Sequence, residues 1–584
     1  MAGNAFLGNS ESANSDLLTW VIPGHDADAV RRRAARLREW AAGQAAGDLP
    51  GIGISLLRTR DAGWRGAVVG SGPEELSAGL AALTDPLMEA AGGVVAPGRV
   101  ARRRVVFVCP AQGGQWTGMA GELLAAGGVF AEAIADCEAA LAPFVDWSLS
   151  EVLRGESDAA SLERVDVVQP VLFAVTVSLA RLWRSYGVEP DAVVGHSIGE
   201  IAAAVVAGGL SLPDGARVMA SRARIVAETL SGSGAMVSVG LSDEETRDRL
   251  ADFGGRLFLA AVNGPRQTVI TGGTDAAAEF VARCENEGVW AKRIVVDYAS
   301  HSPAIEEIRD RVLADLAPIR PRSGDIPLCS AVTGEFLDTA GMDAGYWYRQ
   351  ERSPVRFAAA IECLLDAEMN AFIELSPHPA FLSSIESIAD SLGRADRIAT
   401  VETLRFGRGG PGQFATALAR AYCVGVDLPA EALTPAAAPV TLPDSLFDLY
   451  GETEGEPDTD SRQSSATGPF VTRLLAAPEW DRDALVLGPL RGSRETRRCR
   501  DHARRDRLVP RCGYHFGARC RSCHVARATV MVGRGTSGRY PFGDRDPASE
   551  RPSRRTGGPV RRRNRGDGAQ CRGGVSRPGR RPGP

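Results

Sequence analysis

The residues with the clearest chemical potential lie in the segment VVGHSIGEIAAA, residues 193–204, which holds a Gly-x-Ser-x-Gly turn around Ser197. Residues 191–195 predict a short buried strand, and residues 200–210 have the pattern of a helix. The two glycines of the turn permit a tight bend from which the Ser197 hydroxyl projects. The start of the helix also offers free N–H groups to a developing oxyanion. The pattern therefore predicts a nucleophilic serine.

A serine hydroxyl is a weak nucleophile until a base accepts its proton, so the seven histidines of the chain are the next candidates. His301 follows the segment RIVVDYA, residues 293–299, which predicts a strand that leads directly to it. Catalytic groups of open α/β sheets gather at such strand ends, and we therefore expect His301 to be the general base. His378, in the segment SPHP, is the alternative base or a part of the wall of the site. The other histidines lie in the N-terminal part, in the tail, or beside the serine and pointing away from it.

The length and composition of the chain limit what can surround these residues. A chain of 584 residues has room for about three to four domains of roughly 150 residues. It has no run of 18 apolar residues, and its N-terminus is polar, so we expect a cytoplasmic protein without a membrane span or signal peptide. The net charge of −5 hides an asymmetry, because residues 491–584 contain 26 arginines and 7 acidic residues and the first 490 residues carry −24.

The alternation of predicted strands and helices indicates how the chain is divided. A small α/β unit comes first, and a larger unit follows with the strand and helix order of a parallel α/β fold. A strand, helix, strand, strand, helix, strand order within it matches a ferredoxin-like insertion and leaves a cleft beside the larger sheet. The predicted segments are a disordered N-terminus (1–15), the small unit (16–101), the larger unit (102–395) with its insertion (234–296), a second linker (396–450), a flexible linker (451–469) and a degenerate region (470–584).

Several motifs together carry a resemblance to a known family. They are CPAQGGQWTGM, RVDVVQP, GHSIGE, AVNGP, YASHSP and SPHP, and they belong to a match that covers about residues 16–450. The chain resembles the acyltransferase domain of type I modular polyketide synthases, the malonyl- and methylmalonyl-CoA:acyl carrier protein transacylase family. The resemblance implies an α/β-hydrolase-like large subdomain with an inserted ferredoxin-like small subdomain. It also implies that residues 16–101 are the small α/β linker domain that usually follows a ketosynthase.

The resemblance assigns roles to residues at the matching positions. Ser197 would be the acylated nucleophile and His301 its base, in a dyad that backbone carbonyls orient without an acidic third member. Gln112 and the backbone N–H of Ile198 would form the oxyanion hole, although Ala111 and Gly114 replace residues that are more common in the family.

Other positions of the resemblance concern the acyl group. Arg222 would hold the free carboxylate of an extender unit, because a guanidinium fits a carboxylate through two hydrogen bonds; the alternative is an exposed arginine on an arginine-rich helix. Tyr298 and the small Ser300, together with Gln169, resemble methylmalonyl-selecting members, whereas Ile198 is more common in malonyl or starter types. The resemblance also places two residues, His196 and Asn263, in the substrate site.

The implied activity is transfer of an acyl group, with methylmalonyl or propionyl favoured, from CoA through a seryl ester to the phosphopantetheine thiol of an acyl carrier protein. Acyl-CoA, a carrier protein or domain and other polyketide synthase subunits are the expected partners, and no metal, bound cofactor, nucleic acid or membrane is expected. No ketosynthase precedes the linker unit, which favours a fragment of a starter-loading module. Two alternatives stay open: a serine esterase or thioesterase, which would need an acid partner, and a non-catalytic docking component of a synthase.

The arginine-rich tail contains two further patterns. Residues 470–487 resemble the first helix of a carrier domain, but no phosphopantetheine attachment turn follows. The CRSCH segment has the spacing of covalent haem attachment and, with Cys512 and His515, could be drawn as a zinc site. We disfavour both because the expected location is cytoplasmic and no apolar residues surround the motif. A nucleic-acid-binding arm is disfavoured because aromatic residues are not interleaved with the arginines. Residues from about 488 onward are expected to be an out-of-frame carrier sequence or disordered.

Overall fold

The computed structural model describes residues 17–59, 63–85, 87 and 92–447. Its first part is an antiparallel sheet with strand order β1-β2-β3, against which three helices pack around an apolar core. These elements are β1 (Leu18–Gly24), α1 (Ala27–Ala41), α2 (Leu49–Leu57), β2 (Trp64–Gly70), α3 (Pro73–Leu83) and β3 (Val94–Arg99). The predicted N-terminal disorder, the flexible linker and the region from 470 onward lie outside the described residues.

The remaining described chain alternates strands and helices. The strands are β4 (Val105–Cys109), β5 (Ala192–Gly195), β6 (Ala235–Val239), β7 (Leu257–Gly264), β8 (Gln267–Gly272), β9 (Ala291–Arg293), β10 (Leu328–Cys329), β11 (Phe336–Leu337), β12 (Ala371–Glu374) and β13 (Ala399–Glu402). The helices are α4 (Gly121–Ala126), α5 (Gly128–Leu141), α6 (Leu149–Arg154), α7 (Val165–Ser185), α8 (Gly199–Val206), α9 (Leu212–Thr229), α10 (Asp243–Ala251), α11 (Thr274–Asn286), α12 (Arg309–Leu316), α13 (Ala344–Arg352), α14 (Phe357–Asp366), α15 (Leu382–Ser391) and α16 (Pro411–Val424).

A six-stranded sheet forms the centre of the larger unit. Its order is β11-β10-β5-β4-β12-β13, and all neighbouring pairs except β10 and β11 are parallel. Strands β4 and β5 are buried along their whole length, which explains why they are continuous apolar runs without alternation. The parallel α/β architecture predicted from the sequence is confirmed.

Helix α7 is the longest helix of the described residues and lies in the core. Among those residues it alone is long and apolar enough to cross a membrane, but 89% of its most apolar 18-residue window is buried inside the protein. A helix that is apolar on nearly all sides belongs to the interior of a fold when other elements cover it. The burial therefore identifies α7 as a core helix.

A second sheet, with order β7-β8-β6-β9, is inserted between α9 and α12. Its strands are antiparallel in every pair, and α10 and α11 follow the first and third of them along the chain. This is the strand order of a ferredoxin-like unit, and the prediction of a ferredoxin-like small subdomain is confirmed. The small subdomain joins the large one through a parallel bridge between Ala261 and Val355.

The large sheet continues beyond residue 395, where the sequence predicts a linker. β13 pairs in parallel with β12 and forms the edge of the sheet. α16 then packs against β2 and β3, and the Arg65 guanidinium lies 4.2 Å from the ring centroid of Tyr422 on that helix. A four-residue strand shows too little periodicity to be identified, so only its pairing reveals that residues 396–428 contribute to the core.

The prediction that a strand runs through RIVVDYA directly to His301 is wrong. β9 ends at Arg293, and residues 294–300 are irregular. The segment leaves the small sheet to cross to the large subdomain, passing so close to Gly234 that a side chain at that position would collide with Ala299. His301 therefore lies on a crossing between the subdomains and not at a strand end.

Candidate active site

The turn around Ser197 joins β5 to α8. Ser197 has a φ of 51°, in the left-handed region that non-glycine residues rarely adopt and that is often found at functional sites. A Cβ at Gly199 would collide with the carbonyl oxygen of Cys109, and one at Gly195 would collide with the backbone of Glu200. Both positions of the turn therefore require glycine, because the start of α8 lies directly against the ends of β4 and β5.

Ser197 and His301 are in direct contact. The Ser197 Oγ lies 2.8 Å from the His301 Nε2, and the His301 Nδ1 lies 2.8 Å from the carbonyl oxygen of Ser353. A carbonyl can only accept, so Nδ1 carries the proton and Nε2 is free to accept the serine proton. His301 also has a positive φ, 57°, and its N–H donates to the carbonyl of Glu351 at 2.9 Å. These contacts fix both the tautomer and the position of the imidazole.

Burial lowers the pKa of His301 to about 3, and the nearby charge of Arg222 contributes in the same direction. Both effects disfavour the imidazolium, so the ring is neutral near pH 7. A neutral imidazole hydrogen-bonded to a serine hydroxyl is the arrangement that general-base activation requires. The site is therefore in its active protonation state over the whole physiological range.

For the acylation of Ser197 that the resemblance implies, the lowered pKa of His301 predicts a rate that hardly changes between pH 5 and pH 8. Protonation disables a general base, and with a pKa of about 3 it begins only well below pH 5. An imidazole with an ordinary pKa near 6.5 would be mostly protonated at pH 5 and about thirtyfold slower there. Single-turnover acylation followed by intact-protein mass spectrometry measures this profile. A rate that halves near pH 6.5 would contradict the predicted shift.

The start of α8 supplies a free donor beside the serine. The N–H groups of Gly199 and Glu200 donate to the carbonyls of His196 and Ser197. In the described part of the chain, the N–H of Ile198 has no hydrogen-bond acceptor. This N–H is one of the two groups that the resemblance assigns to an oxyanion hole. The other, Gln112, is half-buried on the loop after β4.

Gln112, Gln169 and Tyr298 form a chain of polar contacts. The Nε2 of Gln169 donates to the hydroxyl of Tyr298 at 2.9 Å and lies 3.5 Å from the Oε1 of Gln112. Gln169 lies on α7, and Tyr298 lies on the segment that crosses between the subdomains. These polar contacts therefore join the core helix to that segment beside the dyad. Ser300 is buried on the same crossing, next to His301. The structure thus brings the residues expected to read the acyl chain into one region.

His196 faces away from the dyad and links the two subdomains. Its Nε2 lies 2.8 Å from the Oδ1 of Asn263 at the end of β7, and its ring stacks on Phe381 with centroids 4.3 Å apart. Burial lowers the pKa of His196 to about 4, so this ring is also neutral near pH 7. His196 and Asn263 therefore hold the turn against the small subdomain.

Arg222 lies on α9 and is buried, so the interpretation of this side chain as an exposed surface arginine is wrong. Its Nη1 donates to the Oε1 of Gln350 at 2.7 Å, and its Nε lies 2.6 Å from the Oε2 of Glu351. The Nε2 of Gln350 in turn donates to the carbonyl of Ser197 at 2.5 Å. One amide side chain therefore connects the buried guanidinium to the backbone of the serine.

Sequence analysis missed three residues that shape this site, all near the end of α13: Gln350, Glu351 and Ser353. A signal for two of them existed, because Tyr346, Trp347, Gln350 and Glu351 repeat with helical spacing and all four are buried. Two polar residues on the buried face of a helix indicate a specific polar environment. Ser353 contributes only its carbonyl oxygen, for which a sequence offers no signal.

A buried carboxyl group anchors α13 against α8. The hydroxyl of Tyr346 donates to the Oε1 of Glu200 at 2.7 Å and also lies 2.7 Å from the Oγ of Ser330. Burial raises the pKa of Glu200 to about 7. This contact fixes the helix that carries Gln350 and Glu351 relative to the turn that carries Ser197.

His378 is separate from the dyad. Its Nδ1 accepts a hydrogen bond from the N–H of Phe406 at 3.3 Å, and its carbonyl packs against Gly114. These contacts place His378 beside the loop after β4. In the described ranges, no group of three or more His, Cys, Asp or Glu side chains could hold a metal ion.

Comparison with known proteins gives a consistent set of relatives. Residues 106–428 match the sequence model of the acyl transferase domain. The chain is 48% identical over 415 residues to the spectinabilin polyketide synthase system protein NorA' of Streptomyces orinoci, covering 70% of this chain and 11% of that protein. It is 47% identical over 432 residues to the erythronolide synthase EryA3 of Saccharopolyspora erythraea, covering 74% and 14%. The chain thus spans less than a sixth of the length of these two relatives.

Two solved structures show the same likeness. The acyltransferase domain from module 8 of the salinomycin polyketide synthase is 46% identical, with a TM-score of 0.68, over 72% of this chain and 99% of that one. A loading acyltransferase from the avermectin modular polyketide synthase is 48% identical, with a TM-score of 0.52, over 55% of this chain and 99% of that one. Residues 106–428, which match the family model, include both Ser197 and His301.

Proposed function

The chain belongs to the acyl transferase domain family, and from that premise we propose that Ser197 takes an acyl group from acyl-CoA and passes it to the phosphopantetheine thiol of an acyl carrier protein. The observation that carries the proposal is the 2.8 Å contact between the Ser197 Oγ and the unprotonated Nε2 of His301. A serine with its base already in place at neutral pH is prepared for acyl transfer.

In the first half-reaction the Ser197 oxygen attacks the thioester carbonyl carbon, and its proton passes to Nε2 of His301. The N–H of Ile198, with Gln112, stabilises the negative charge that develops on the carbonyl oxygen. The carbon–sulfur bond then breaks, and the CoA thiolate leaves as a thiol with the proton from His301. The Ser353 carbonyl, 2.8 Å from Nδ1, stabilises the transient imidazolium.

The second half-reaction reverses these steps with another thiol. The phosphopantetheine thiol gives its proton to His301 and attacks the seryl ester. The ester bond breaks, and Ser197 regains its proton while the acyl group leaves as a new thioester. The reaction needs no net change of charge or oxidation state, and the same dyad serves both halves.

The partner of His301 Nδ1 favours this proposal over a serine esterase or thioesterase. Such hydrolases usually orient the histidine with a carboxylate, whereas the partner here is the carbonyl of Ser353. A non-catalytic docking component would have no need of a serine and a histidine held in left-handed backbone conformations at 2.8 Å.

We further propose that the acyl group is methylmalonyl or propionyl and that the domain acts in starter loading for polyketide biosynthesis. Ser300, the small buried residue next to His301, would leave more room for a methyl branch than a large side chain at this position. The likeness to a loading acyltransferase of the avermectin synthase supports a starter role. The domain would then work with a carrier domain and other synthase subunits.

Transfer and hydrolysis are separated by following both products. The full chain is mixed with radiolabelled propionyl- or methylmalonyl-CoA and a phosphopantetheinylated carrier protein, and labelled carrier and free acid are measured over time. We expect acyl-carrier to form faster than free acid, because the acyl-enzyme waits for a thiol. The carrier without phosphopantetheine is the matched control and should stay unlabelled. Release of free acid at the same rate with and without the carrier would indicate a hydrolase.

A further inference from the structure

Arg222 and Glu351 form a buried ion pair, which acyl transfer itself does not require. Both side chains are only 1% exposed, and the Nε of Arg222 lies 2.6 Å from the Oε2 of Glu351. Through Gln350 the pair is one side chain away from the carbonyl of Ser197. The backbone carbonyl oxygen of Glu351 also accepts a hydrogen bond from the backbone N–H of His301, at 2.9 Å. The pair therefore lies beside the reacting atoms.

The buried charge of Arg222 is balanced by that of Glu351. His196 and His301 are neutral near pH 7, because burial lowers their pKa values to about 4 and about 3. Tyr298 is neutral because burial raises its pKa to about 12. The guanidinium of Arg222 stays protonated at any physiological pH and needs a counter-charge when buried. Glu351 supplies that counter-charge, although burial raises the pKa of its carboxyl and Arg222 opposes that shift.

An acyl group with a free carboxylate would have to compete with Glu351 for this cation. In the described part of the chain, the Nε and Nη2 of Arg222 and both carboxylate oxygens of Glu351 have no hydrogen-bond partner, so the two side chains are held together as an ion pair, with 2.6 Å between Nε and Oε2. A carboxylate that approached Nη2 would therefore face a second carboxylate on the same guanidinium, and two carboxylates sharing one site repel each other. If the substrate carboxylate displaced Glu351 from Arg222, the buried carboxylate of Glu351 would lose its partner, which is strongly unfavourable.

We infer that Glu351 is a specificity residue that limits the pocket to uncharged acyl groups, of which propionyl is the representative, and excludes acyl groups with a free carboxylate such as methylmalonyl. This inference rests on the proposed function, since it presumes that Ser197 is acylated. It selects between the two acyl groups proposed above. It also means that the loaded unit has no carboxylate to lose by decarboxylation.

The test is a competition measured on the full chain. Equal concentrations of propionyl-CoA and methylmalonyl-CoA are mixed with the protein, and the two seryl esters are distinguished by mass. We expect the propionyl ester to form at least about tenfold faster than the methylmalonyl ester, the scale of one charged hydrogen bond. Formation of the methylmalonyl ester at an equal or higher rate would overturn the inference while leaving the proposed function intact.

The variant Glu351→Gln keeps the shape of the side chain and removes its charge. We expect the methylmalonyl-to-propionyl ratio to rise by about tenfold or more, because Arg222 is then free to hold a carboxylate. Glu306→Gln is the matched control: Glu306 pairs with Arg352 at 2.8 Å, close in the fold, but its side chain is 59% exposed. The control should leave the ratio unchanged. An unchanged ratio in Glu351→Gln would overturn the inference.

The remaining outcomes are also decisive. If Glu351→Gln does not fold, the competition on the unmodified protein still decides, because the inference fixes its direction. If neither thioester labels Ser197 in the unmodified protein, the proposed function fails and the inference falls with it. These results differ from a methylmalonyl preference, which would overturn the inference alone.

Discussion

Ser197→Ala is expected to abolish formation of the acyl-enzyme. The Ser197 Oγ is the hydroxyl that lies 2.8 Å from the free Nε2 of His301, and the turn that presents it cannot be rebuilt elsewhere in the chain. Removal of a nucleophile leaves only the residual rate from binding and oxyanion stabilisation, and alanine itself cannot form an ester. Intact-protein mass spectrometry after mixing with propionyl- or methylmalonyl-CoA should detect no adduct.

The fold of Ser197→Ala should be unchanged, since alanine replaces only a hydroxyl group. Ser242→Ala is a suitable control: Ser242 is also a serine at the start of a helix, where its side chain forms a capping box with Glu245. Its loss should cost about 1 kcal/mol of stability and no acylation. A covalent adduct that persists in Ser197→Ala, mapped to another residue, would show that the nucleophile has been misidentified.

The second large effect is expected for His301→Ala, which should slow acylation by at least about a hundredfold. Without the imidazole, Ser197 has no base within hydrogen-bond distance, and the hydroxyl proton must pass to water. The N–H of Ile198 can still stabilise the oxyanion, so the rate should fall steeply without reaching zero. Rapid-quench single-turnover measurements with saturating acyl-CoA give the rate constant directly.

His378→Ala provides the comparison for that experiment. Its Nδ1 contacts the N–H of Phe406 and not Ser197, so acylation should change by less than about threefold. If His301→Ala lost less than tenfold while His378→Ala lost more, His301 would be a structural histidine and His378 the base. The two variants together therefore distinguish the two candidates that the sequence leaves open.

Glu351 changes how the role of Arg222 has to be tested. Arg222→Ala would leave the buried carboxylate of Glu351 without its partner, and breaking such a pair typically destabilises a protein by about 3–5 kcal/mol. A loss of activity in that variant could come from misfolding as well as from altered substrate recognition. Glu351→Gln also removes the counter-charge of a buried group, but it keeps the side-chain volume and its amide oxygen can accept a hydrogen bond from the guanidinium, so it is the sharper probe.

Local patterns were sufficient for the turn and the fold class, whereas the strand that pointed to His301 is absent from the structure. The requirement for glycine at 195 and 199 and the strand and helix on either side are all contained within about twenty consecutive residues. The ferredoxin-like insertion was also predictable, because its six elements follow one another without interruption between residues 235 and 293.

The sequence by itself thus determined the serine turn and the architecture, since backbone conformation and burial pattern depend on near neighbours. Only the tertiary structure decided what surrounds the nucleophile. The Ser353 carbonyl meets His301 from 52 positions away, and Gln350 meets Arg222 from 128 positions away. A carbonyl oxygen has no sequence signature. The helical spacing of α13 indicates that Glu351 shares a face with apolar residues, but it does not identify Arg222 as the partner, because only the packed core brings the two side chains together. The pairing of the Arg222 charge with Glu351 is therefore a property of the packed core, and the proposed choice of acyl group depends on it.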